Sequence, residues 1–133
     1  MDVLSVNTTS RCQMLDVTAQ VRAAAKRSGV KSGACTVFVP HTTAGVTINE
    51  NADGDVVRDV LAGLERIAPA DAGYAHAEGN SDAHIKSSLV GCTLSVFVEK
   101  GELVLGTWQG IYFCEFDGPR ARKMYVKVVG DPA

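Results

Sequence analysis

The sequence predicts an α+β fold in which a largely antiparallel sheet is combined with two or three helices. Two segments repeat apolar residues at helical spacing, many short apolar runs are typical of strands, and the last third contains glycine-centred turns. Helices set among strands that are joined by hairpins favour antiparallel pairing. The chain of 133 residues suffices for one core and shows no linker or repeat. We therefore expect a single domain over residues 1–133.

Composition and charge restrict the class of function. Apolar residues make up 46% of the chain and charged residues 21%, as in ordinary globular proteins. The net charge of −2 gives no basic surplus for nucleic-acid binding, and no apolar run is long enough to span a membrane. Met1–Ser5 lack the basic and apolar regions of a secretory signal. We expect a cytoplasmic protein whose ligand is a small molecule, without nucleic-acid or membrane partners.

The elements of the first half are predicted from apolar runs and from residues that favour helix ends. Asp16 or Thr18 can cap a first helix that Gly29 ends, and Asn51 or Asp53 can cap a second helix that ends before Pro69. The strands are predicted at residues 3–6, 12–15, 35–39 and 44–48, with Pro40 ending the third of them.

The second half is predicted to contain a long loop, a short helix and several strands. Residues 70–82 are rich in Ala, Gly, Asp and Asn, which is typical of a functional or a disordered loop. Ser81 or Asp82 can cap a helix that carries Ala83, His84, Ile85 and Leu89 and ends at Gly91. Strands are predicted at residues 93–98, 103–105, 111–116 and 123–129, with a glycine-containing hairpin turn between the first two.

The four cysteines do not indicate a redox motif. Cys12, Cys35, Cys92 and Cys114 form no CxxC pair. Cys35, Cys92 and Cys114 lie in or beside apolar runs, so we expect them to be small buried side chains. Nothing beside Cys12 marks it as a nucleophile.

The three histidines of the chain all lie in polar corners. His41 follows the strand that Pro40 ends, His76 lies in the long loop, and His84 falls in the first turn of the short helix. Three imidazoles suit a catalytic metal site with three protein ligands and one open position. A histidine is also often a structural hydrogen-bonding residue, and the spacing alone leaves both interpretations open. Zinc is the first expectation for such ligands, with nickel, cobalt and manganese as alternatives.

Other polar residues are candidates for catalysis or substrate binding. Glu50, at the strand end, is a candidate general base, or a carboxylate that only stabilises a helix start. Arg120 and Arg122 flank the last turn, where they can bind a phosphate or form surface ion pairs. Trp108 can line a pocket or fill a core or subunit interface. The remaining candidates are polar groups for substrate binding, namely Gln109, Thr42, Thr43 and Asn80.

Three long blocks of the sequence resemble the YjbQ-like family of secondary thiamine-phosphate synthases. They are HTTAGVTINENADGDVVRD from His41, HAEGNSDAHIKSSLVG from His76 and GELVLGTWQGIYFCEFDGPRAR from Gly101. The resemblance implies an α+β homotrimer with a histidine metal site. It also implies an enzyme that joins hydroxymethylpyrimidine diphosphate to thiazole phosphate, with magnesium as a further metal for the diphosphate. The chain has no P-loop or aspartate-rich diphosphate motif. Thiamine-phosphate synthesis can therefore be a side activity, and a metal-dependent hydrolase and a non-catalytic metal- or ligand-binding trimer stay open as alternatives.

Overall fold

The computed structural model describes all 133 residues and contains eight strands and three helices. The strands are β1 (Asp2–Asn7), β2 (Gln13–Asp16), β3 (Ser32–Phe38), β4 (Ala44–Glu50), β5 (Thr93–Glu99), β6 (Glu102–Leu103), β7 (Gln109–Glu115) and β8 (Ala121–Gly130). The helices are α1 (Thr18–Ser28), α2 (Gly54–Ile67) and α3 (Ser81–Val90). None of the three helices is both long enough and apolar enough to cross a membrane.

The strands form two sheets, and every pairing in both is antiparallel. Sheet A has the order β1-β8-β3-β5-β6, and sheet B has the order β2-β7-β4. The predicted α+β class is confirmed, although the strands divide between two sheets rather than forming one.

The main core lies between the two sheets, with α1 closing one side. It includes Val21 of α1, Val37 of β3, Phe113 of β7 and Met124 of β8, all of which are fully buried. A smaller cluster around Tyr112 and Cys114 lies on the other face of sheet B and packs against α2 and α3. Sheet B is therefore covered on both faces.

The predicted helix ends are largely confirmed, and each has a local cause. Val17, rather than Asp16 or Thr18, precedes α1 as its cap residue, although the Asp16 carboxylate accepts the backbone N–H of Thr18 at 2.9 Å. Gly29 ends α1 in the left-handed region at φ +70°, as predicted. The Asp53 carboxylate accepts the backbone N–H of Asp55 at the start of α2. Asn80, rather than Ser81 or Asp82, precedes α3 as its cap residue.

Helix α3 buries a face that its apolar pattern does not predict. Ile85 and Leu89 are exposed, while Ala83, Lys86 and Ser87 are buried. The Lys86 ammonium is paired with the carboxylates of Glu65 and Asp82, which lets a charged side chain lie under the helix. Small and paired polar side chains thus make the contact with sheet B.

Helix α3 ends against β4, an edge strand of sheet B. The Val46 N–H donates to the Gly91 carbonyl at 3.0 Å, and the Ser87 hydroxyl donates to the Ala44 carbonyl at 3.0 Å. A Cβ atom at Gly45 would lie only 2.5 Å from the Gly91 carbonyl oxygen. Glycine at position 45 is therefore required for this close approach.

The outer face of sheet A carries large apolar side chains that nothing covers. Val3, Phe38, Phe97 and Val129 are 54%, 42%, 72% and 58% exposed. Phe38 lies beside Tyr125 on the neighbouring strand, with ring centroids 6.1 Å apart. An apolar surface of this kind is typical of an interaction face.

Candidate active site

Polar side chains from distant parts of the chain line one open cavity of about 710 Å³. Its walls come from the corner between β3 and β4, the loop that precedes α3, and the turn between β7 and β8. Eight of the candidate residues named from the sequence line it, namely His41, Thr42, Thr43, His76, Asn80, His84, Arg120 and Arg122. The cavity also includes Glu78, Cys92 and Asp117, which the sequence did not mark as candidates.

The turn between β7 and β8 is fixed to the end of β1. The Thr8 N–H donates to the Arg120 carbonyl at 3.0 Å, and the Arg120 N–H donates to the Thr8 hydroxyl at 2.8 Å. A Cβ atom at Gly118 would lie 2.4 Å from the Ser10 carbonyl oxygen, so only glycine lets the turn pack this closely. These contacts hold Arg120 and Asp117 at the rim of the cavity.

His41 is held by the backbone of β8. Its Nε2 atom accepts the Lys123 N–H at 2.9 Å, which only an imidazole unprotonated at Nε2 can do. Burial, and then the positive charge of Arg122, lower the pKa of His41. His41 is therefore neutral at neutral pH, with its Nδ1 atom carrying the proton.

His76 and His84 form a second pair of side chains in the cavity. Their ring centroids are 5.4 Å apart and the rings meet edge to face at 88°. The Nε2 atom of His76 lies 3.9 Å from a carboxylate oxygen of Glu78. The three histidines share a cavity, and as donor types they suit zinc, but no three His, Cys, Asp or Glu side chains are arranged to hold an ion. A metal bound by all three histidines would require His41 to give up its bond to the Lys123 N–H.

Arg122 lines the cavity and is paired with Glu115, which is buried behind it. Its Nε atom donates to Glu115 Oε1 at 2.8 Å, and its Nη2 atom donates to Glu115 Oε2 and to the Thr43 hydroxyl. Burial would raise the pKa of Glu115, but the bonds from Arg122, Asp117 N–H and Thr8 outweigh it and lower that pKa. Arg122 is not the exposed turn residue that the sequence allowed.

Arg120 is at the rim and is half exposed. Its Nε atom donates to the Asp117 carbonyl at 2.8 Å, and its Nη2 atom donates to Asp117 Oδ2 at 2.9 Å. The same Asp117 Oδ2 atom accepts the Asn80 amide at 2.7 Å. A chain of hydrogen bonds thus joins the start of α3 to the turn between β7 and β8.

The prediction that Cys92 is buried is wrong. Cys35 and Cys114 are buried, as expected, but Cys92 is exposed and lines the cavity. It follows Gly91, where the chain leaves α3 before β5 begins, so its side chain is outside the apolar run that suggested burial. The thiol is the only exposed cysteine of the chain.

Three candidate residues lie away from this cavity. Glu50 and Gln109 face each other in the pairing of β4 with β7, and Trp108 is 63% exposed beside them. Glu50 is the last residue of β4 and His41 precedes the first, so the two residues lie at opposite ends of a strand of roughly 20 Å at 3.3 Å per residue. The Glu50 carbonyl accepts the Tyr112 hydroxyl at 3.0 Å.

Two antiparallel sheets with a histidine- and arginine-lined cavity at one end define an α+β protein with a small-molecule-sized polar site. The family model described as "UPF0047 protein YjbQ-like" matches residues 2–131. The chain therefore belongs to the YjbQ-like UPF0047 family, which confirms the resemblance of the three blocks.

Relatives in bacteria and archaea match nearly the whole chain. The UPF0047 protein YugU of Bacillus subtilis is 51% identical over 131 residues, covering 98% of this chain and 99% of the relative. A UPF0047 protein of Methanocaldococcus jannaschii is 51% identical over 126 residues, covering 95% and 91%. These names give a family and no reaction.

Solved structures of the family have the same fold. A YjbQ/UPF0047 protein of Clostridium acetobutylicum superposes with a TM-score of 0.96 at 53% identity, covering 97% of this chain and 100% of that one. A protein of Sulfolobus solfataricus superposes with a TM-score of 0.95 at 32% identity, covering 98% and 96%. The two-sheet architecture is therefore kept at much lower identity.

Proposed function

We propose that the cavity is the active site of an enzyme that acts on a small phosphorylated substrate. The observation that carries this proposal is the meeting of three histidines and two arginines from three separate segments in one cavity. A volume of about 710 Å³ lies within the usual range for small-molecule sites. Guanidinium groups bind phosphate through paired donors, and imidazoles transfer protons near neutral pH.

The proposed reaction is the one that the family resemblance implies, formation of thiamine phosphate with release of diphosphate, either as the main or as a side activity. Arg120 and the free Nη1 atom of Arg122 would bind the phosphate groups, with the hydroxyls of Thr42 and Thr43 beside them. His41, with its proton on Nδ1, can donate a hydrogen bond to a phosphate or leaving-group oxygen. We also propose that the protein is located in the cytoplasm.

A divalent metal is part of this proposal, with zinc first and magnesium as the ion that would accompany a diphosphate. His76 and His84 would hold zinc, joined by His41 once its bond to Lys123 is released. Such an ion would act as a Lewis acid toward phosphate oxygens. Elemental analysis of the purified protein and of a triple His41→Ala, His76→Ala, His84→Ala variant tests the ligands. Equal metal content in both proteins would place the ion elsewhere.

A non-catalytic binding protein is the second candidate. It is favoured by the way the chain already uses its polar groups, since His41 Nε2 is taken by Lys123 N–H and Arg122 by Glu115. The test is to incubate the protein with both thiamine precursors, and separately with simple phosphoesters, with and without a chelator. Turnover with the precursors supports synthesis, turnover of phosphoesters alone supports a metal-dependent hydrolase, and ligand binding without turnover supports the second candidate.

We also propose that the protein assembles as a homotrimer. Support comes from the uncovered apolar face of sheet A, which reaches the cavity at Phe38. A threefold ring pairs two different surfaces of each copy. Such pairing could bring Glu50, Trp108 and Gln109 of one copy near the cavity of the next. Light scattering should give three times the 14.0 kDa chain mass, and a monomer at micromolar concentration would contradict the proposal.

A further inference from the structure

The wall of the cavity opposite Arg122 carries acceptors that the chain does not use. Asn80 is only 7% exposed, and its Oδ1 atom has no hydrogen-bond partner. Its amide nitrogen is fixed by Asp117 Oδ2 at 2.7 Å, so the amide cannot turn to exchange the two ends without losing that bond. The orphan oxygen therefore requires a donor from outside the chain.

Two carboxylates lie beside this oxygen. Asp117 uses Oδ2 for Asn80 and Arg120, while its Oδ1 atom accepts no hydrogen bond and is not sealed from solvent. Glu78 lies within 3.5 Å of the Asn80 amide nitrogen and is exposed to the cavity. The unused atoms of Asn80 and Asp117 are both acceptors, and Glu78 beside them is a third acceptor, so this group of side chains favours a donor.

The charges around the cavity also favour a ligand that carries a positive group. Arg120 and Arg122 supply two positive charges, and Glu78, Asp117 and the buried Glu115 supply three negative charges. Because His41 is neutral, the two guanidiniums are more than balanced before any ligand enters. A phosphate alone would add to an excess of negative charge. A phosphate ester that also carries an ammonium group would add one negative charge less.

We propose that the cavity selects a zwitterionic ligand, a phosphate ester that carries a protonated amine, and that Asn80, Asp117 and Glu78 bind the amine. This inference rests on the proposed function, since it assigns the phosphate to the arginine side of the same cavity. The ammonium donates to Asn80 Oδ1 and to the free Asp117 oxygen, and Glu78 adds charge at the rim. Asn80 and Asp117 are then specificity-determining residues.

The test compares three probes by calorimetry with the full chain. They are O-phosphoethanolamine, ethyl phosphate, which lacks the amine, and ethanolamine, which lacks the phosphate. We expect O-phosphoethanolamine to bind at least about tenfold more tightly than either of the other two, as one added charge-assisted hydrogen bond would give. Asp117→Asn keeps an oxygen for Asn80 and Arg120 but turns the free acceptor into a donor. It should bring the affinity for O-phosphoethanolamine down to that for ethyl phosphate.

Each other outcome has a distinct meaning. Equal binding of O-phosphoethanolamine and ethyl phosphate overturns the inference and leaves the phosphate site standing. Binding of ethanolamine as tight as that of O-phosphoethanolamine overturns the phosphate assignment and with it the proposed function. No binding of any probe overturns both. Glu78→Gln is a second variant, and its position is exposed, so it keeps the test valid if Asp117→Asn is unfolded. Like Asp117→Asn, it should reduce the preference for O-phosphoethanolamine over ethyl phosphate. An unchanged preference in the folded variants contradicts the inference.

Discussion

Arg122 and Glu115 are joined side by side under the cavity, where 5% of the arginine and none of the glutamate side chain is exposed. The Glu115 carboxylate also accepts the Thr8 hydroxyl at 2.7 Å and the backbone N–H groups of Phe116 and Asp117. Both oxygens of the Glu115 carboxylate thus accept at least two hydrogen bonds each. The pair joins β7 to β8, and its bonds to Thr8 and Thr43 link both strands to the residues that follow β1 and precede β4.

Removing one member of this pair should destabilise the fold. Arg122→Ala leaves a buried carboxylate without its counter-ion, and we expect the free energy of unfolding to fall by about 3–5 kcal/mol. The matched control is Arg120→Ala, which breaks a half-exposed pair with Asp117 and should cost at most about 1 kcal/mol. Urea unfolding of both variants at pH 7 measures the difference. Equal losses would show that the buried pair contributes no more than the exposed one.

Glu115 should also make stability depend on pH. Because its pKa is lower in the folded chain than in the unfolded chain, where it is about 4.3, the unfolded state binds its proton first as pH falls. The stabilisation is therefore present above pH 4.3 or so and is lost as pH falls through the folded pKa. Glu115→Gln should show a smaller loss of unfolding free energy between pH 6 and pH 3 than the parent protein. Parallel pH profiles would contradict this, since the lowered pKa values of Asp82 and Asp16 are common to both proteins.

Arg120 provides the clean test of phosphate binding. Loss of a charge-assisted hydrogen bond costs roughly 1.5–3 kcal/mol, which corresponds to about a ten- to a hundred-fold weaker affinity. We expect Arg120→Ala to weaken the affinity for a phosphorylated ligand by this factor while the fold loses at most about 1 kcal/mol of stability. Arg120→Lys should be a poor substitute. Arg58→Ala, on the exposed surface of α2, is the control and should leave affinity unchanged. If Arg120→Ala binds like the control, the phosphate lies nearer Thr42 and Thr43.

Cys92 should report on occupancy of the cavity. It is exposed while Cys35 and Cys114 are buried and Cys12 is half-buried, so a small thiol reagent should label Cys92 first. A bound phosphorylated ligand should slow this reaction because it covers the thiol. Mass spectrometry after brief labelling identifies the site, and Cys92→Ser should remove the fast phase. A labelling rate that is the same with saturating ligand would show that ligand and thiol do not share the cavity.

Local sequence predicts the elements well because their causes are local. Gly29 ends α1 and Asp53 caps α2 through bonds to residues close by, and the run from Cys35 leads into the corner at His41 as expected. The polar interior was not predictable in this way. Thr8 and Glu115 are 107 residues apart, and nothing in either neighbourhood indicates the partner.

Long-range contacts also explain which residues of the candidate site were predicted from the sequence and which were missed. The resemblance and the polar corners indicated the histidines and arginines, but they did not show that Arg122 is buried and Arg120 is not. Asp117 and Cys92 were missed because a turn aspartate and a cysteine beside an apolar run have ordinary structural explanations. Glu50 was named as a candidate because it is a carboxylate at a strand end, but it is the last residue of β4 and lies at the opposite end of that strand from the cavity.

The contact of α3 with β4 has a consequence for how copies of this chain can associate. Unpaired backbone groups on an edge strand are a template for adding strands from other molecules. Here the outward N–H of Val46 is bonded to Gly91, and the outward carbonyl of Ala44 is bonded to Ser87. Because the end of the helix occupies the first part of this edge, a strand from another molecule cannot pair with β4 at Ala44 and Val46. Glycine at position 45 thus helps to block strand addition at this part of the edge, because it lets the helix end approach the backbone of β4.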